Sequence, residues 1–457
     1  MLSRRFNFAV AVAAVVLGAQ AVRASDTDQF GFGAKPISMG NAFTALATDW
    51  TGAYYNPAAP AVGKTRTIGA GFSYATYDLT YKSETGSTSS GSDHDVARQA
   101  PLSALTFGIS SPLSTDQSEL LSRIVPGIGV FLPTRGIVGI DVETAPGSPQ
   151  YFLYGTRRDK LAVMPFVSVR ILPLDNPAGQ DGDHPEHPMT LALGGGATIL
   201  SDISGHFTFD LSSTAARSVA TDIKLAYTAA PNFGIYFWPL AGLSLGVTYR
   251  GKLALKADFD TQILVGSTNL FPLKIEAVTL FQPQQVAAGA AFDPVEWLTL
   301  ALDVTWLNWS AYNDAFVTIR PVIPQADVKF SDIVIPRLGA EVRFDHGFAA
   351  RAGYYFQPSP IGAQTGATNL VDNDKHVMSL GFGWTFWTER DRMVRDGEGA
   401  KLVKEEHDPV SIDAFFQWHH LLDQSVTKDP GASPQTGSFF DSGGDVFNFG
   451  IQLTIRT

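Results

Sequence analysis

One short stretch of the sequence concentrates side chains that could bind a metal ion. It reads DGDHPEH and holds five potential ligands within seven residues, which are Asp181, Asp183, His184, Glu186 and His187. Oxygen and imidazole donors at this density can hold a divalent ion. Proline and glycine nevertheless indicate a long outer loop, and the favoured interpretation is a solvated acidic loop. We therefore predict no metal site and no cofactor.

Residue types for hydrolysis are present but are not arranged for it. A hydrolytic site needs a nucleophile with a histidine placed beside it. His206, Asp210 and Ser212 offer such groups, although no spacing singles them out. The adjacent pair His419–His420 suggests a metal pair, but neighbouring residues of a strand point to opposite faces. We predict no catalytic residues and no enzymatic activity.

The chain begins with an export signal. Two arginines precede an apolar run from Phe6 to Leu17, and small residues follow up to Ala24, which is the order of a secretory signal peptide. Cleavage is predicted after Ala24, with Ala21 as the alternative. Removal of residues 1–24 takes three arginines and no acid from a chain of formal charge −11, so the mature protein is acidic.

Composition separates this chain from helical membrane proteins and from ordinary soluble ones. Charged residues make up 17% of the 457 residues, against roughly 25% in a typical soluble protein. After the signal, no window approaches the roughly 18 apolar residues of a membrane-spanning helix. The chain has no cysteine and therefore no disulfides. No linker divides it into domains, because Pro, Gly and Ser clusters recur at short intervals throughout.

Alternation with a period of two residues dominates the second half of the chain. In WLTLALDVTWLNW, one face carries Leu298, Leu300, Leu302, Val304 and Trp306, and the other carries Thr299, Ala301, Asp303 and Thr305. The same pattern occupies residues 337–345, 348–356 and 378–386, and Asp345-His346-Gly347 predicts a tight turn between the first two. These segments are predicted to form β-hairpins.

The composition of the polar face favours a barrel over a soluble β-sandwich. In a sandwich that face meets water and tends to carry Lys, Glu and Thr, whereas here it mixes glycine, alanine and aromatics with a few charges, which suits a crowded barrel interior. Trp306, Trp384 and Phe386 lie at the ends of the apolar faces, as in an aromatic belt at a membrane interface. Because lipid cannot satisfy open backbone groups, a spanning sheet must close. We predict an all-β, transmembrane antiparallel barrel, with a soluble all-β protein as the alternative.

Short and long connections should alternate around such a barrel, the long ones outside the cell. The segments predicted to be short are Phe292–Glu296 and Asp345–Gly347, and those predicted to be long are 82–100, 113–126, 141–150, 172–188 and 388–410. Ser114 to Arg123 is predicted to form a helix in an outer loop.

Four segments in matching order resemble a known family. They are FGFGAKPISMGNAFTALATDWTGAYYNPAA (Phe30 to Ala59), GVTYRGKLALKADFD (Gly246 to Asp260), LFQPQQVAAGAAFDPVEWLTLALDVTWLNWSAYND (Leu280 to Asp314) and IPRLGAEVRFDHGFAARAGYYFQPSPI (Ile335 to Ile361). Together they resemble the FadL/TodX family of outer-membrane transporters for long-chain fatty acids and aromatic hydrocarbons. The Asn-Pro-Ala motif of that family's plug matches Asn56, Pro57 and Ala58.

The resemblance implies a monomeric barrel of about 14 strands whose N-terminal residues fold inward as a hatch. The implied domains are a signal peptide at 1–24, a hatch at 25–64 and the barrel at 65–457. The residues assigned to the hatch and its gating are Phe30, Gly31, Gly33, Met39, Gly40, Tyr54, Tyr55, Asn56, Pro57 and Ala58. Small residues and broken secondary structure suit a segment that must follow a lumen.

The resemblance further implies a diffusion channel of the outer membrane of a Gram-negative-type bacterium. It would take up hydrophobic compounds through an apolar pocket beside the hatch and release them sideways, with long-chain fatty acids as the leading substrate and aromatic or other hydrocarbons as the alternative. Outer-membrane lipid and lipopolysaccharide are the other expected partners, and nucleic acid is not. A hydrolase at the barrel rim and a passive structural barrel are the rival classes.

A fatty acid carries a carboxylate, which calls for a cation near the lumen. Arg157, Arg158 and Lys160 stand beside apolar residues and are the candidates. Three further arginines face inward by alternation, and their favoured role is structural bracing of the barrel; they are Arg337, Arg343 and Arg351.

Overall fold

The computed structural model describes residues 26–63, 65–84, 99–114, 120–135, 150–154, 160–172, 189–210, 218–265, 268–312, 329–366, 368–396, 399–432 and 437–457. At 202–210, 218–226, 255–265, 268–279, 388–396 and 399–408, it describes the backbone alone. No helix in these ranges combines the length and apolar character needed to cross a membrane. The predicted signal peptide lies outside them.

Strands make up most of the described chain. They are β1 (Thr67–Ser83), β2 (Leu102–Ser110), β3 (Ile124–Pro133), β4 (Gln150–Tyr151), β5 (Ala162–Leu172), β6 (Thr190–Asp210), β7 (Ser218–Leu240), β8 (Leu243–Arg250), β9 (Leu253–Val265), β10 (Thr268–Gln282), β11 (Gln285–Val295), β12 (Leu298–Leu307), β13 (Ile333–Arg343), β14 (Phe348–Gln357), β15 (Leu370–Val371), β16 (Lys375–Asp396), β17 (Gly399–Thr427) and β18 (Phe439–Arg456).

Fourteen of these strands form a closed antiparallel ring, as predicted. Every barrel strand pairs with its neighbour, and β1 closes on β18 from Thr67↔Arg456 to Ser83↔Phe440. The remaining four lie apart from the ring: β9 and β10 form a hairpin that joins the ring only through β6, and the two-residue strands β4 and β15 pair with each other. Closure leaves no open sheet edge in the barrel wall.

The barrel is apolar outside and polar inside, the reverse of a soluble protein. On β12, Leu300, Leu302 and Val304 are 44, 48 and 43% exposed, whereas Thr299 and Asp303 are 4 and 2% exposed. The same alternation runs through β13, β14 and β16. Because a face of exposed leucine, valine and phenylalanine is stable in lipid and not in water, the wall is built to span a membrane.

The two ends of the barrel differ in their connections. At the end where β1 starts and β18 finishes, here called the turn end, β7–β8, β11–β12 and β13–β14 are joined by turns of two to four residues. The turn at Asp345–Gly347 is present, with His346 at φ 62°, whereas β11 continues to Val295, so the predicted turn at Phe292–Glu296 is shifted towards Trp297. The opposite end is here called the loop end.

Three of the stretches predicted as long outer loops are placed differently. Strand β2 runs from the loop end to the turn end and β3 runs back, so their connection lies at the turn end. Its described part at Leu120–Arg123 is a 3₁₀ helix. The β5–β6 connection, which holds residues 173–188 outside the described ranges, is anchored at the same end. Residues 388–410 are mostly strand, since β16 and β17 continue as a paired hairpin beyond the barrel. Alternation identifies strands but not which end a long connection occupies.

The N-terminal segment, residues 26–63, lies inside the ring. It consists of α1 (Asp26–Phe30), α2 (Ala34–Ser38) and two 3₁₀ turns, Trp50–Ala53 and Ala59–Val62. Nearly all of its residues are buried. Its contacts reach strands on all sides of the barrel, so it fills the cross-section of the lumen.

Candidate functional site

The N-terminal segment fits the lumen because the wall lacks side chains where the two meet. A Cβ added at Gly353 of β14 would lie 2.0 Å from the backbone nitrogen of Gly40, and one at Gly194 of β6 would lie 2.2 Å from the carbonyl carbon of Pro57. Contacts under about 3 Å cannot be accommodated without a backbone shift. The inward glycines therefore leave the space that the segment occupies.

Polar side chains of the wall form hydrogen bonds with the backbone of the segment. Asp303 Oδ2 accepts hydrogen bonds from the backbone N–H groups of Phe43 and Thr44, both at 2.9 Å. Ser168 of β5 donates to the carbonyl of Ala58 at 2.6 Å and accepts from the N–H of Ala61 at 2.8 Å. A segment with little regular structure leaves many backbone groups unpaired, and the wall satisfies them.

The Asn-Pro-Ala motif joins the segment to itself and to the wall. Asn56 is fully buried, and its Nδ2 donates to the carbonyl of Thr44 at 2.9 Å and to that of Ile235 on β7 at 3.1 Å. Its Oδ1 accepts from the N–H of Ala58 at 3.0 Å. Pro57 lies against Gly194 and Gly234. The motif is therefore a point of attachment rather than a turn exposed to solvent.

The other residues assigned to the hatch share the same buried segment. Tyr55 accepts a hydrogen bond from the N–H of Phe32 at 3.0 Å and donates to Asn41 Oδ1 at 2.6 Å. Asn41 Nδ2 donates in turn to the carbonyl of Phe30 at 3.3 Å. The remaining members are Gly31 and Gly33 around the start of α2, Met39 and Gly40 at its end, and Tyr54 beside Arg250.

A chamber with a mixed polar and apolar lining lies between the segment and the wall towards the loop end; its volume is about 730 Å³, counting the part open to solvent. Four charged residues line it: Asp28 from the segment and Arg250, Asp303 and Arg337 from β8, β12 and β13. Arg250 lies 3.3 Å from Asp28 and stacks on Tyr54, with its guanidinium carbon 3.9 Å from the ring centroid. The neutral lining includes the amides Gln29, Asn41, Gln285 and Gln357 and the apolar Leu153, Leu307, Trp309 and Ile335.

A second, mainly apolar cavity lies on another side of the segment; its volume is about 370 Å³, again counting the part open to solvent. Its apolar lining comes from α1, α2 and the strands around the β1–β18 closure and includes Phe30, Ile37, Leu102, Phe131 and Phe415. Gly31 lines both cavities, so the stretch around it separates them. The resemblance implies an apolar pocket beside the hatch; this mainly apolar cavity lies there, and the chamber of mixed lining lies there in addition.

Aromatic rings pack over the chamber at the loop end. Tyr312 and Phe330 have ring centroids 4.4 Å apart, Phe281 and Tyr312 4.9 Å, and Phe152 and Trp309 5.5 Å. All five rings are buried. Since Trp309 also lines the chamber, this cluster forms part of its roof.

Ion pairs close the lumen towards the turn end. Glu341 lies 2.8 Å from Lys35 of the segment, 2.6 Å from Arg351 and 2.9 Å from Arg343. Arg351 also pairs with Asp413 at 2.6 Å. Arg343 and Arg351 thus brace the barrel, as predicted, whereas the third inward arginine, Arg337, lines the chamber.

The other candidate residues do not assemble into a site. Arg157, Arg158, Ser212 and the DGDHPEH stretch lie outside the described residues, as do the side chains of His206 and Asp210. Lys160 is buried and is absent from the lining of both cavities. His419 is buried in the lumen while His420 is partly exposed, which confirms their opposite orientation. No cluster of metal-ligand type is found among the described residues.

Sequence reasoning did not select Arg250, Asp28 and Trp309 for the site. A signal was available for Arg250, which ends the apolar strand GVTYR with a single inward charge. Asp303 was visible as the one acid on the polar face of its strand, but nothing local indicated that it binds the backbone of residues 43–44. These groups meet only when distant strands close into a ring.

A protein-family model matches the central part of the chain. Residues 204–393 match the model of the outer membrane protein transport protein (OMPP1/FadL/TodX) family. The match covers 190 of the 457 residues, which is less than half of the chain. Alkane uptake protein A of Marinobacter nauticus is 28% identical over 247 residues, which are 52% of this chain and 50% of that protein. The match thus spans about half the length of that curated relative.

Solved structures of FadL/TodX proteins share the fold. A FadL homologue from Pseudomonas aeruginosa aligns over 96% of this chain and 99% of its own, with a TM-score of 0.52 and 14% identity. A mutant of the TodX monoaromatic hydrocarbon channel aligns over 93% and 99%, with a TM-score of 0.51 and 14% identity. At that identity the likeness concerns the fold alone. The family match and the barrel with its apolar outer face together identify an outer-membrane protein and agree with the expectation that it is not an enzyme.

Proposed function

We propose that this protein is a passive outer-membrane channel that takes up hydrophobic compounds, with residues 26–63 as its hatch. The observation that supports this most directly is a closed barrel whose lumen is filled by a segment with a cavity on either side. An open lumen would conduct water and ions, whereas a filled one admits only molecules that bind and displace part of the filling. As the resemblance to the FadL/TodX family implies, the substrate would move down its concentration gradient.

The aromatic cluster at the loop end suits the entrance. With short turns on the periplasmic side, as in other outer-membrane barrels, the loop end faces outwards. Trp309 and Tyr312 present large apolar surfaces there, and buried aromatic rings bind hydrocarbon through contact area and dispersion. The substrate would pass from these rings into the chamber beside the hatch.

The ion pairs at the turn end argue for a sideways exit. Passage straight into the periplasm would require a hydrocarbon to separate Glu341 from Lys35 and Arg351, and breaking buried ion pairs is costly. The apolar cavity instead lies against the wall near Phe131 and Phe415. We infer that substrate leaves through the wall into the membrane, as expected from the resemblance to FadL proteins.

Long-chain fatty acids remain the leading substrate. A mixed chamber with two arginines and four amides accommodates a polar end together with a hydrocarbon chain. The second candidate, an alkane, is favoured by the similarity to alkane uptake protein A of Marinobacter nauticus, and an aromatic hydrocarbon stays the further alternative that the resemblance to the FadL/TodX family implies. Carboxylate binding by Arg157, Arg158 and Lys160 stays a prediction, as do the monomeric state and contact with lipopolysaccharide.

The test is uptake in cells that lack their own transporter of this kind. The chain would be expressed there, its heat-modifiable migration checked in outer-membrane fractions, and uptake of a radiolabelled long-chain fatty acid, an alkane and a small aromatic hydrocarbon compared. Uptake of any of the three above the empty-vector control supports the proposal and ranks the substrates. A correctly inserted barrel that moves none of them contradicts it.

A further inference from the structure

Buried polar atoms without partners line the chamber. Arg337 is 9% exposed and its Nη1 has no hydrogen-bond partner; Trp309 is 1% exposed and its Nε1 has none either. Asp303 Oδ1 is likewise unpartnered, since only Oδ2 binds the hatch. Arg250 Nη1 also makes no hydrogen bond, but it lies 3.3 Å from Asp28 in an ion pair. Apart from that atom, two donors and one acceptor are left over around one cavity. Buried polar groups are ordinarily satisfied, so a group that occupies the chamber should supply both kinds of bond.

Arg337 and Asp303 do not satisfy each other. They are directly opposite in the β12–β13 register, yet no ion pair within 4.0 Å joins them among the described residues. Asp303 Oδ1 instead turns towards β11, where it occupies the space that a Cβ on Gly289 would need. The arginine therefore keeps a free N–H for a ligand.

The formal charges around the chamber already cancel. Arg250 and Arg337 oppose Asp28 and Asp303, and Arg250 is engaged with Asp28 and with Gln285, to which it donates at 2.5 Å. An incoming carboxylate would add a third anion to these two acids in a site of low dielectric, which is unfavourable. The neutral amides of the lining likewise offer donors and acceptors in equal measure.

We propose that the chamber recognises a long-chain amphiphile by a neutral head group that both accepts and donates hydrogen bonds, namely a primary alcohol or a protonated carboxylic acid. The head group accepts from Arg337 and Trp309 and donates to Asp303, while the chain lies along Leu307 and Ile335. This inference rests on the proposed function and specifies the substrate class of the same site. A fatty acid then enters in its protonated form.

This arrangement discriminates among lipophiles of equal chain length. An alkane leaves the three polar atoms unpaired and displaces any water that serves them, and a site built to bond a polar group rejects the analogue that lacks it. A methyl ester accepts but does not donate, so it leaves Asp303 without a partner. A carboxylate meets Asp303 as a like charge.

The experiment measures binding of four ligands of one chain length to the purified full-length protein in detergent, by displacement of a fluorescent fatty-acid analogue. They are the alkane, the primary alcohol, the methyl ester and the carboxylate at near-neutral pH. The alcohol should bind tightest and each lost head-group bond should weaken binding by about tenfold. The affinity for the acid should rise as the pH is lowered.

Two variants test the residues individually. Trp309→Phe removes the indole donor while keeping an aromatic ring, and it should reduce the preference for alcohol over alkane. Asp303→Asn removes the negative charge and should raise the affinity for the carboxylate relative to the alcohol. Matched controls are Trp297→Phe and Asp345→Asn, because both residues are exposed at the turn end; these should leave all four affinities unchanged.

The outcomes separate this inference from the proposed function. Equal affinity for all four ligands, or tightest binding of the carboxylate, overturns the head-group assignment while the channel proposal stands; the first result would mean that the polar atoms bind water only. Absence of binding by every ligand, together with absence of uptake in cells, contradicts the channel proposal itself. If Asp303→Asn fails to fold, the Trp309→Phe series still decides the question.

Discussion

Replacement of Asn56 by alanine should release the hatch without unfolding the barrel. The side chain makes three hydrogen bonds, to Thr44, Ile235 and Ala58, at 2.9, 3.1 and 3.0 Å. At roughly 1 kcal/mol for each neutral bond, the substitution removes about 1 kcal/mol from the attachment to the wall, through Ile235, and about 2 kcal/mol from bonds within the hatch. Together these losses correspond to an increase of about 100-fold in the population of states in which the hatch is both detached and locally unfolded. The ring itself loses nothing, because its ladders do not involve Asn56.

The assay is amide hydrogen exchange followed by mass spectrometry on the purified protein in detergent. Exchange at Phe43 and Thr44 should accelerate by about 100-fold, the same factor as the population shift, while the amides of β12 and β13 stay protected. Asn308→Ala, which alters a half-buried asparagine at the loop end whose Oδ1 accepts a hydrogen bond from Ser310, serves as the control. Unchanged exchange of the hatch would refute the attachment role. Loss of heat-modifiable migration would show that Asn56 is needed for the barrel to fold.

Further expected outcomes concern the inward glycines, the ion pairs and the outer loops. Gly194→Val should displace the hatch and reduce uptake, because the added side chain meets the Asn-Pro-Ala motif, whereas Gly366→Val should have no effect, since nothing lies within 4 Å of a Cβ there. Glu341→Gln should lower the unfolding free energy by about 3 kcal/mol, measured by heat-modifiability, because it leaves three cations without their shared acid; unchanged stability would contradict the bracing role. Lys428 donates to three carbonyls of residues 364–368, and Lys428→Met should speed amide exchange in that loop alone.

The β-hairpins could be predicted from the sequence because the alternation of apolar and polar residues is visible within each strand. Leu300, Leu302 and Val304 alternate with Thr299 and Asp303 within a single strand, and strand geometry sends the two sets to opposite faces whatever the neighbours are. The end of the barrel at which each connection lies could not be predicted in the same way. Residues 113–126 and 388–410 were assigned outside because they are long and polar, but the end that a connection occupies depends on how many strands precede it.

The sequence by itself predicted export and a membrane barrel, and its resemblance to the FadL/TodX family implied that the N-terminal segment enters the lumen. The first two predictions follow from local patterns, namely the apolar run before Ala24 and the two-residue period, whereas the third depends on the resemblance of the segment around Asn56. Only the tertiary structure decided which polar groups meet in the chamber. Arg250, Asp303 and Arg337 are far apart in sequence, and their encounter depends on the register and closure of the ring, which arise from pairing between strands and not from any one of them.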